Sequence, residues 1–243
     1  MGRVDGKTVI VSGGARGMGA AFARRLVEEG ASVLITDVLA DEGKAVAAQL
    51  GSAADFLGLD VTDESSWQAA VARAEEAFGP VSGLVNNAGI VHVDPIETLA
   101  EADYRKVIDV NQVGVFLGMK SVVPSMRRAG GGSIVNISSI GGIISFSNIL
   151  GYVASKWAVR GMTKAAAQEF GPMGIRVNSV HPGVVITEMT AESQRSNTMF
   201  QNQPLPRAGT PQELANLVLF LISDESGYST GSEFVADGGY TTQ

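Results

Sequence analysis

The sequence predicts an α/β fold: a single doubly wound domain over residues 1–243, with about seven parallel strands flanked by helices. Short apolar runs alternate with longer helical stretches along the whole chain, the order that right-handed crossovers and a parallel sheet require. Hydrophobic residues make up 45% and charged residues only 18%, as expected where strands are apolar on both faces.

The elements follow in turn. Thr8 to Val11 is an apolar strand that runs into a glycine turn. A helix from about Met18 to Glu29 has Ala21, Phe22, Leu26 and Val27 as its inner face, and Gly30 stops it where a left-handed cap is wanted. The cycle repeats as strand 32–36, helix 41–50, strand 55–60, helix 64–77, strand 82–86 and a long helix over 101–127. Strand 133–138, helix 152–170, strand 175–181, helix 211–223 and a short strand near 233–236 complete the chain. Thr210-Pro211-Gln212-Glu213 marks one helix start clearly, with a capping hydroxyl, a proline at the first helical position and a glutamate at the third. No linker or repeat divides the chain. The aperiodic stretch 184–209 is rich in Thr, Ser, Asn and Gln, and residues 189–208 within it are read as a lid.

Composition excludes several functions. The chain has no cysteine, so it has no disulfide, thiolate metal site or cysteine nucleophile. Its two histidines, His92 and His181, are too few for a histidine-rich zinc site, and no metal is expected. A net charge of −7 argues against a nucleic-acid surface. There is neither a signal peptide nor an apolar run of membrane-spanning length, so a soluble cytoplasmic protein is expected, without a membrane partner.

Three constellations carry chemistry. Gly13-Gly14-Ala15-Arg16-Gly17-Met18-Gly19 follows the first strand and opens a helix. Gly13, Gly17 and Gly19 allow the backbone to turn tightly and approach a pyrophosphate, which the helix amino terminus then faces. Ala20 follows where a Walker loop would need lysine. Asp37 ends the second strand, 18 residues past Gly19. An acid there accepts from the adenosine ribose hydroxyls and repels a 2′-phosphate, which favours NAD over NADP. Arg16 pulls the other way. Tyr152 and Lys156 share one helical face, and Ser139 lies thirteen residues before Tyr152 at the end of a strand. A cation near the phenol favours the phenolate, which gives Tyr152 a reason to act near neutral pH.

Together with Asn86-Asn87-Ala88-Gly89, Asn111 and Pro182-Gly183-x3-Thr187, in this order, these motifs resemble the short-chain dehydrogenase/reductase family over essentially the whole chain. Several stretches are similar, more narrowly, to bacterial NAD-dependent hydroxysteroid and secondary-alcohol dehydrogenases: Leu59-Asp60-Val61-Thr62, Ala154-Ser155-Lys156-Trp157, Ser179-Val180-His181-Pro182-Gly183 and Asp237-Gly238-Gly239-Tyr240. Ser12 departs from the family's usual threonine but keeps the hydroxyl.

The resemblance implies a Rossmann-type fold and a set of roles. Tyr152 would be the general acid/base, Ser139 would hold the reacting oxygen, and Lys156 would lower the tyrosine pKa and bind the nicotinamide ribose. Asn111 would kink its helix and hold a water linked to Lys156. Gly13, Arg16, Gly17, Met18, Gly19, Asp37, Val38, Asp60, Val61, Asn87, Ala88 and Gly89 would hold the adenosine and phosphates. Pro182, Gly183, Val185 and Thr187 would fix the nicotinamide. The substrate would meet Ile140, Ile143, Ser145, Phe146, Val184 and Met189, with Met199 or Phe200 from the lid. That largely apolar set suits a hydrophobic ketone or alcohol.

The expected activity is therefore NAD-dependent interconversion of a secondary alcohol and a ketone. A 3-oxoacyl thioester reductase and a non-catalytic dinucleotide-binding sensor are the alternatives. The resemblance implies a homotetramer, and apolar residues on more than one face of helices 101–127 and 152–170, including Val113, Phe116, Ala165, Ala166 and Phe170, call for more cover than one sheet face gives. His181 and Trp67 are expected to be structural, Trp157 to serve packing or an interface, and His92 to lie near the substrate pocket or on the surface.

Overall fold

A computed structural model describes residues 2–188 and 203–242. Seven strands form one parallel sheet in the order β3-β2-β1-β4-β5-β6-β7. They are β1 (Thr8–Ser12), β2 (Ser32–Asp37), β3 (Ala54–Gly58), β4 (Gly83–Asn86), β5 (Gly132–Ile137), β6 (Ile175–Pro182) and β7 (Glu233–Ala236). The helices are α1 (Gly17–Glu28), α2 (Ala40–Leu50), α3 (Glu64–Phe78), α4 (Glu101–Ile108), α5 (Gly114–Arg128), α6 (Leu150–Phe170) and α7 (Pro211–Ile222). This is the α/β fold that the alternation predicts.

The alternating strand faces build two cores. Val9, Val11, Val33 and Ile35 face Phe22 and Leu26 of α1 and Leu214 and Leu219 of α7. Ile10, Leu34, Leu84 and Ile134 face the opposite core, with Trp67 of α3, Met126 of α5 and Val159 of α6. The low charge content thus reflects strands covered on both sides. Trp67 is fully buried and donates from Nε1 to the Val61 carbonyl at 3.0 Å, in keeping with a packing role.

Three local features bear on the site. β1 pairs with β2 on one side and β4 on the other, so the strand order reverses there and opens a crevice at the strands' carboxyl ends. β3 stops at Gly58, two residues before the expected end, and Asp60 turns the chain by accepting from the Thr62 amide and hydroxyl at 2.9 and 2.7 Å. The stretch read as one long helix over 101–127 is interrupted by a π-helical turn at Asp109–Val113, centred on Asn111, where the resemblance implied a kink. The capping box at α7 forms as expected, with Thr210 and Glu213 each accepting from the other's backbone amide.

Residues 189–202 of the lid, and with them Met189, Met199 and Phe200, lie outside the described residues. Among the described residues no helix is long and apolar enough to cross a membrane.

Candidate active site

The glycine loop joins β1 to α1 at the switch point. Gly13 and Gly17 both have positive φ. A Cβ on Gly19 would overlap the Gly13 carbonyl, so this turn closes only around a glycine. Ser12 and Asn87 lock the loop to the end of β4. The Ser12 hydroxyl accepts from the Asn87 and Ala88 amides at 3.1 and 3.2 Å. The Asn87 side chain donates to the Ser12 and Gly13 carbonyls at 3.0 and 2.9 Å.

A cleft of about 660 Å³ opens over this loop. It brings together Gly13, Arg16, Gly17, Met18, Gly19, Asp37, Val38, Asp60, Val61, Asn87, Ala88, Gly89 and Thr187, most of the residues expected around a dinucleotide. The Asp37 carboxylate accepts from the Ala15 and Leu39 amides, both at 3.0 Å, so it holds the surrounding turns as well as facing the cleft. The cleft also includes residues that the sequence did not single out: Glu188, Arg105, Lys106 and Asp109. Pro182, Gly183 and Val185 lie outside its lining. Gly183 packs against Asp237, and Val185 is buried and bridged to Gly209.

The second cluster lies where the end of β5, the loop after β4 and α6 meet. Lys156 is buried and donates from Nζ to the Ile137 carbonyl at 2.9 Å. Its ammonium lies 5.5 Å from the Tyr152 ring centroid. Burial lowers the Lys156 pKa from its ordinary 10.5 to about 8. The Tyr152 pKa is raised, because burial outweighs the lowering effect of a hydrogen bond from the Ser139 side chain. Ser139 leaves β5 and caps the 3-10 turn Ile140–Gly142, its hydroxyl accepting from the Gly141 amide at 3.0 Å.

Asn111 is fully buried. Its side chain exchanges two 2.8 Å bonds with the Ile90 backbone and donates to the Ser155 hydroxyl at 3.2 Å. A Cβ on Gly89 would lie 3.3 Å from Asn111 Oδ1 and 3.6 Å from Lys156 Nζ, so the second cluster abuts the glycine-loop cleft.

The expected substrate residues are spread around the turn after Ser139. Ile140 is buried, Ser145 is exposed, and Phe146 packs near Tyr240 with ring centroids 6.5 Å apart. Ile143 and Val184 are partly buried. His92 stands 4.0 Å from Asp94 and 3.9 Å from Asp103 on the surface. Trp157 is half exposed and stacks under Arg160 at 4.9 Å. His181 is buried and bonds Ser139 and Ser179, contacts that the sequence alone did not indicate. The described residues contain no cluster of three or more His, Asp or Glu able to hold a metal.

Comparison with known proteins assigns the class. A family model described as enoyl-(acyl carrier protein) reductase matches residues 13–241. The chain belongs to the short-chain dehydrogenase/reductase family. It is 54% identical to a 3-alpha-(or 20-beta)-hydroxysteroid dehydrogenase of Mycobacterium tuberculosis, over 98% of this chain and 90% of that protein. It is 48% identical to a trans-4-hydroxycyclohexanecarboxylate dehydrogenase of Sinomonas cyclohexanicum, over 98% and 94% of the two chains. A cyclopentanol dehydrogenase of Comamonas testosteroni is 42% identical over 99% of each.

Proposed function

We propose that this protein is an NAD(H)-dependent oxidoreductase that interconverts a secondary alcohol of a hydrophobic, ring-containing substrate and its ketone. The convergence of Ser139, Tyr152, Lys156 and Asn111 beside the glycine-loop cleft carries the reading. A dinucleotide suits the cleft: its volume fits a cofactor, and a backbone turn that no Cβ could enter leads into a helix amino terminus. When bound, a nicotinamide dinucleotide supplies or accepts the hydride. The chain handles the proton.

In this reading Ser139 holds the substrate oxygen by hydrogen bond, and Tyr152 exchanges a proton with it. Raised by burial, the phenol needs help to ionise: the Ser139 hydroxyl lowers its pKa by hydrogen bond, and in this reading the Lys156 ammonium, 5.5 Å from the ring centroid, favours the phenolate further. Asn111 holds the Ile90 loop against α6 through Ser155. The relatives' names support the substrate class: a 3α-hydroxysteroid, a hydroxycyclohexane carboxylate and cyclopentanol carry a secondary alcohol on a ring, and a 20β-hydroxysteroid carries it on the side chain beside the ring system. These names favour an alcohol over the acyl-carrier thioester in the family model's description.

Asp37 supports NAD over NADP, since its carboxylate faces the cleft at the end of β2. Arg16 lines the same cleft and opposes it. The quaternary reading is a homotetramer in which a second copy covers the α5–α6 face. There Phe116, Lys120, Met162, Ala165 and Phe170 line a groove of about 400 Å³, and Phe116 is 48% exposed. The expected cytoplasmic location belongs to the same proposal.

A panel of 3α-hydroxysteroids, cycloalkanols and linear secondary alcohols, offered with NAD and with NADP and followed by absorbance, tests the reading. Cyclic alcohols with NAD should give the highest kcat/KM. Strong preference for NADP would overturn the cofactor assignment, and tight NADH binding with no oxidation of any alcohol would favour a non-catalytic sensor.

A further inference from the structure

We infer that His181 is a positioning residue: through the Ser139 carbonyl it sets the Ser139 hydroxyl against Tyr152. The inference rests on the proposed roles of Ser139 and Tyr152. His181 is fully buried in β6, one position before the strand ends. Its Nδ1 lies 3.0 Å from the Ser139 carbonyl and its Nε2 lies 2.9 Å from the Ser179 hydroxyl. A carbonyl can only accept, so Nδ1 carries the proton and Nε2 accepts from Ser179. Burial lowers the ring's pKa and keeps it in this neutral form.

The need for such a contact comes from the sheet. Pairing of β5 with β6 ends at Ile137 and Val180, followed by one last bond from the Ser138 amide to the Val180 carbonyl at 2.8 Å. Pro182 has no N–H with which to extend it. Ser139 therefore leaves the ladder at the point where its side chain has to be placed. Its carbonyl accepts from the Gly142 amide at 2.9 Å within the turn and from His181 at 3.0 Å. Only the His181 bond ties that carbonyl to the neighbouring strand.

Arg160 holds the far end of the same turn, donating to the Gly142 carbonyl at 2.8 Å while it pairs with Glu233 of β7. Gly142 itself lies against the Lys156 carbonyl so closely that no Cβ would fit. The turn bearing Ser139 is thus held to α6 at one end and to β6 at the other.

The test uses two readouts on the full-length protein. The first is Tyr152 ionisation, taken from ultraviolet pH titrations as the difference from Tyr152→Phe. The second is kcat and KM on the best alcohol of the panel, alongside NADH affinity. Ser139→Ala serves as the reference. His181→Phe keeps a ring of similar size without the donor, and His181→Leu is a second variant should that one fail to fold. His181→Asn can place an N–H near the Nδ1 position.

The Phe or Leu variant should raise the Tyr152 pKa in the same direction as Ser139→Ala. It should lower kcat by about 10- to 100-fold, with NADH affinity unchanged. Asn should restore most of both. In the Ser139→Ala background His181→Phe should have little further effect on kcat. If Ser139→Ala shifts Tyr152 and kcat but a folded Phe or Leu variant shifts neither, the inference is wrong and the parent reading stands. If Ser139→Ala itself changes neither, the roles given to Ser139 and Tyr152 fail first. Equal loss in the Phe and Asn variants, or full additivity with Ser139→Ala, would assign His181 to general packing and overturn the proposal.

Discussion

The Ser12 hydroxyl accepts from two successive amides after β4, while Asn87 returns two bonds to the glycine loop. These residues mattered to the sequence reading as motif members, and their direct contacts are with each other. Asp37 and Asp60 behave alike, the first holding the Ala15 and Leu39 amides and the second the Thr62 amide and hydroxyl, each at a turn lining the cleft. Such local bonds are the reason a polar residue at a strand end keeps a fixed orientation. Lys156 offers a pH-dependent consequence. Its pKa is lowered to about 8 by burial, so the folded state resists carrying the charge. The resulting cost to stability is complete below about pH 8 and is relieved as pH rises toward 10.5. Lys156→Met, which leaves the Ile137 carbonyl without its partner, should still stabilise the protein by about 2 kcal/mol at pH 7. The gain should fade by pH 10.5 in urea unfolding. A gain that grew with pH would contradict this account.

At the scale of elements, periodicity made every strand and helix of the sheet legible, because each strand is a short apolar run and each helix has one apolar stripe. The boundaries that moved have local causes. β3 ends early where Asp60 turns the chain. The break in the long helix was legible only through the family resemblance, which implied a kink at Asn111; it forms where the buried Asn111 amide engages the Ile90 backbone. The α7 start was fully legible, since a capping box is written in adjacent residues. Thr210→Ala should destabilise the protein by about 1 kcal/mol, read from the urea midpoint. Arg207 and the Thr210 amide together hold the Glu213 carboxyl down at about 2. The cap's charged contribution is therefore present above the ordinary carboxylate range and lost as pH falls toward 2.

For the whole molecule, the switch point between β1 and β4 places the cleft, and the meeting of the loop after β4, the end of β5 and α6 places the second cluster next to it. Motif order in the sequence was enough to name both groups. The contact between His181 and Ser139 was not legible, because it depends on the β5–β6 register and crosses 42 positions of chain. The exposed Phe116 and the α5–α6 groove support assembly. Sedimentation at micromolar concentration should give a tetramer, and Phe116→Asp should shift it toward smaller species. A wild-type monomer would refute that assembly.

In the proposed reaction Tyr152 moves the proton while the glycine-loop cleft holds the dinucleotide, and Tyr152→Phe separates the two. With a cyclic secondary alcohol, kcat should fall by about 100-fold or more while NADH affinity stays within a factor of about two. Turnover equal to that of the unaltered protein would contradict it.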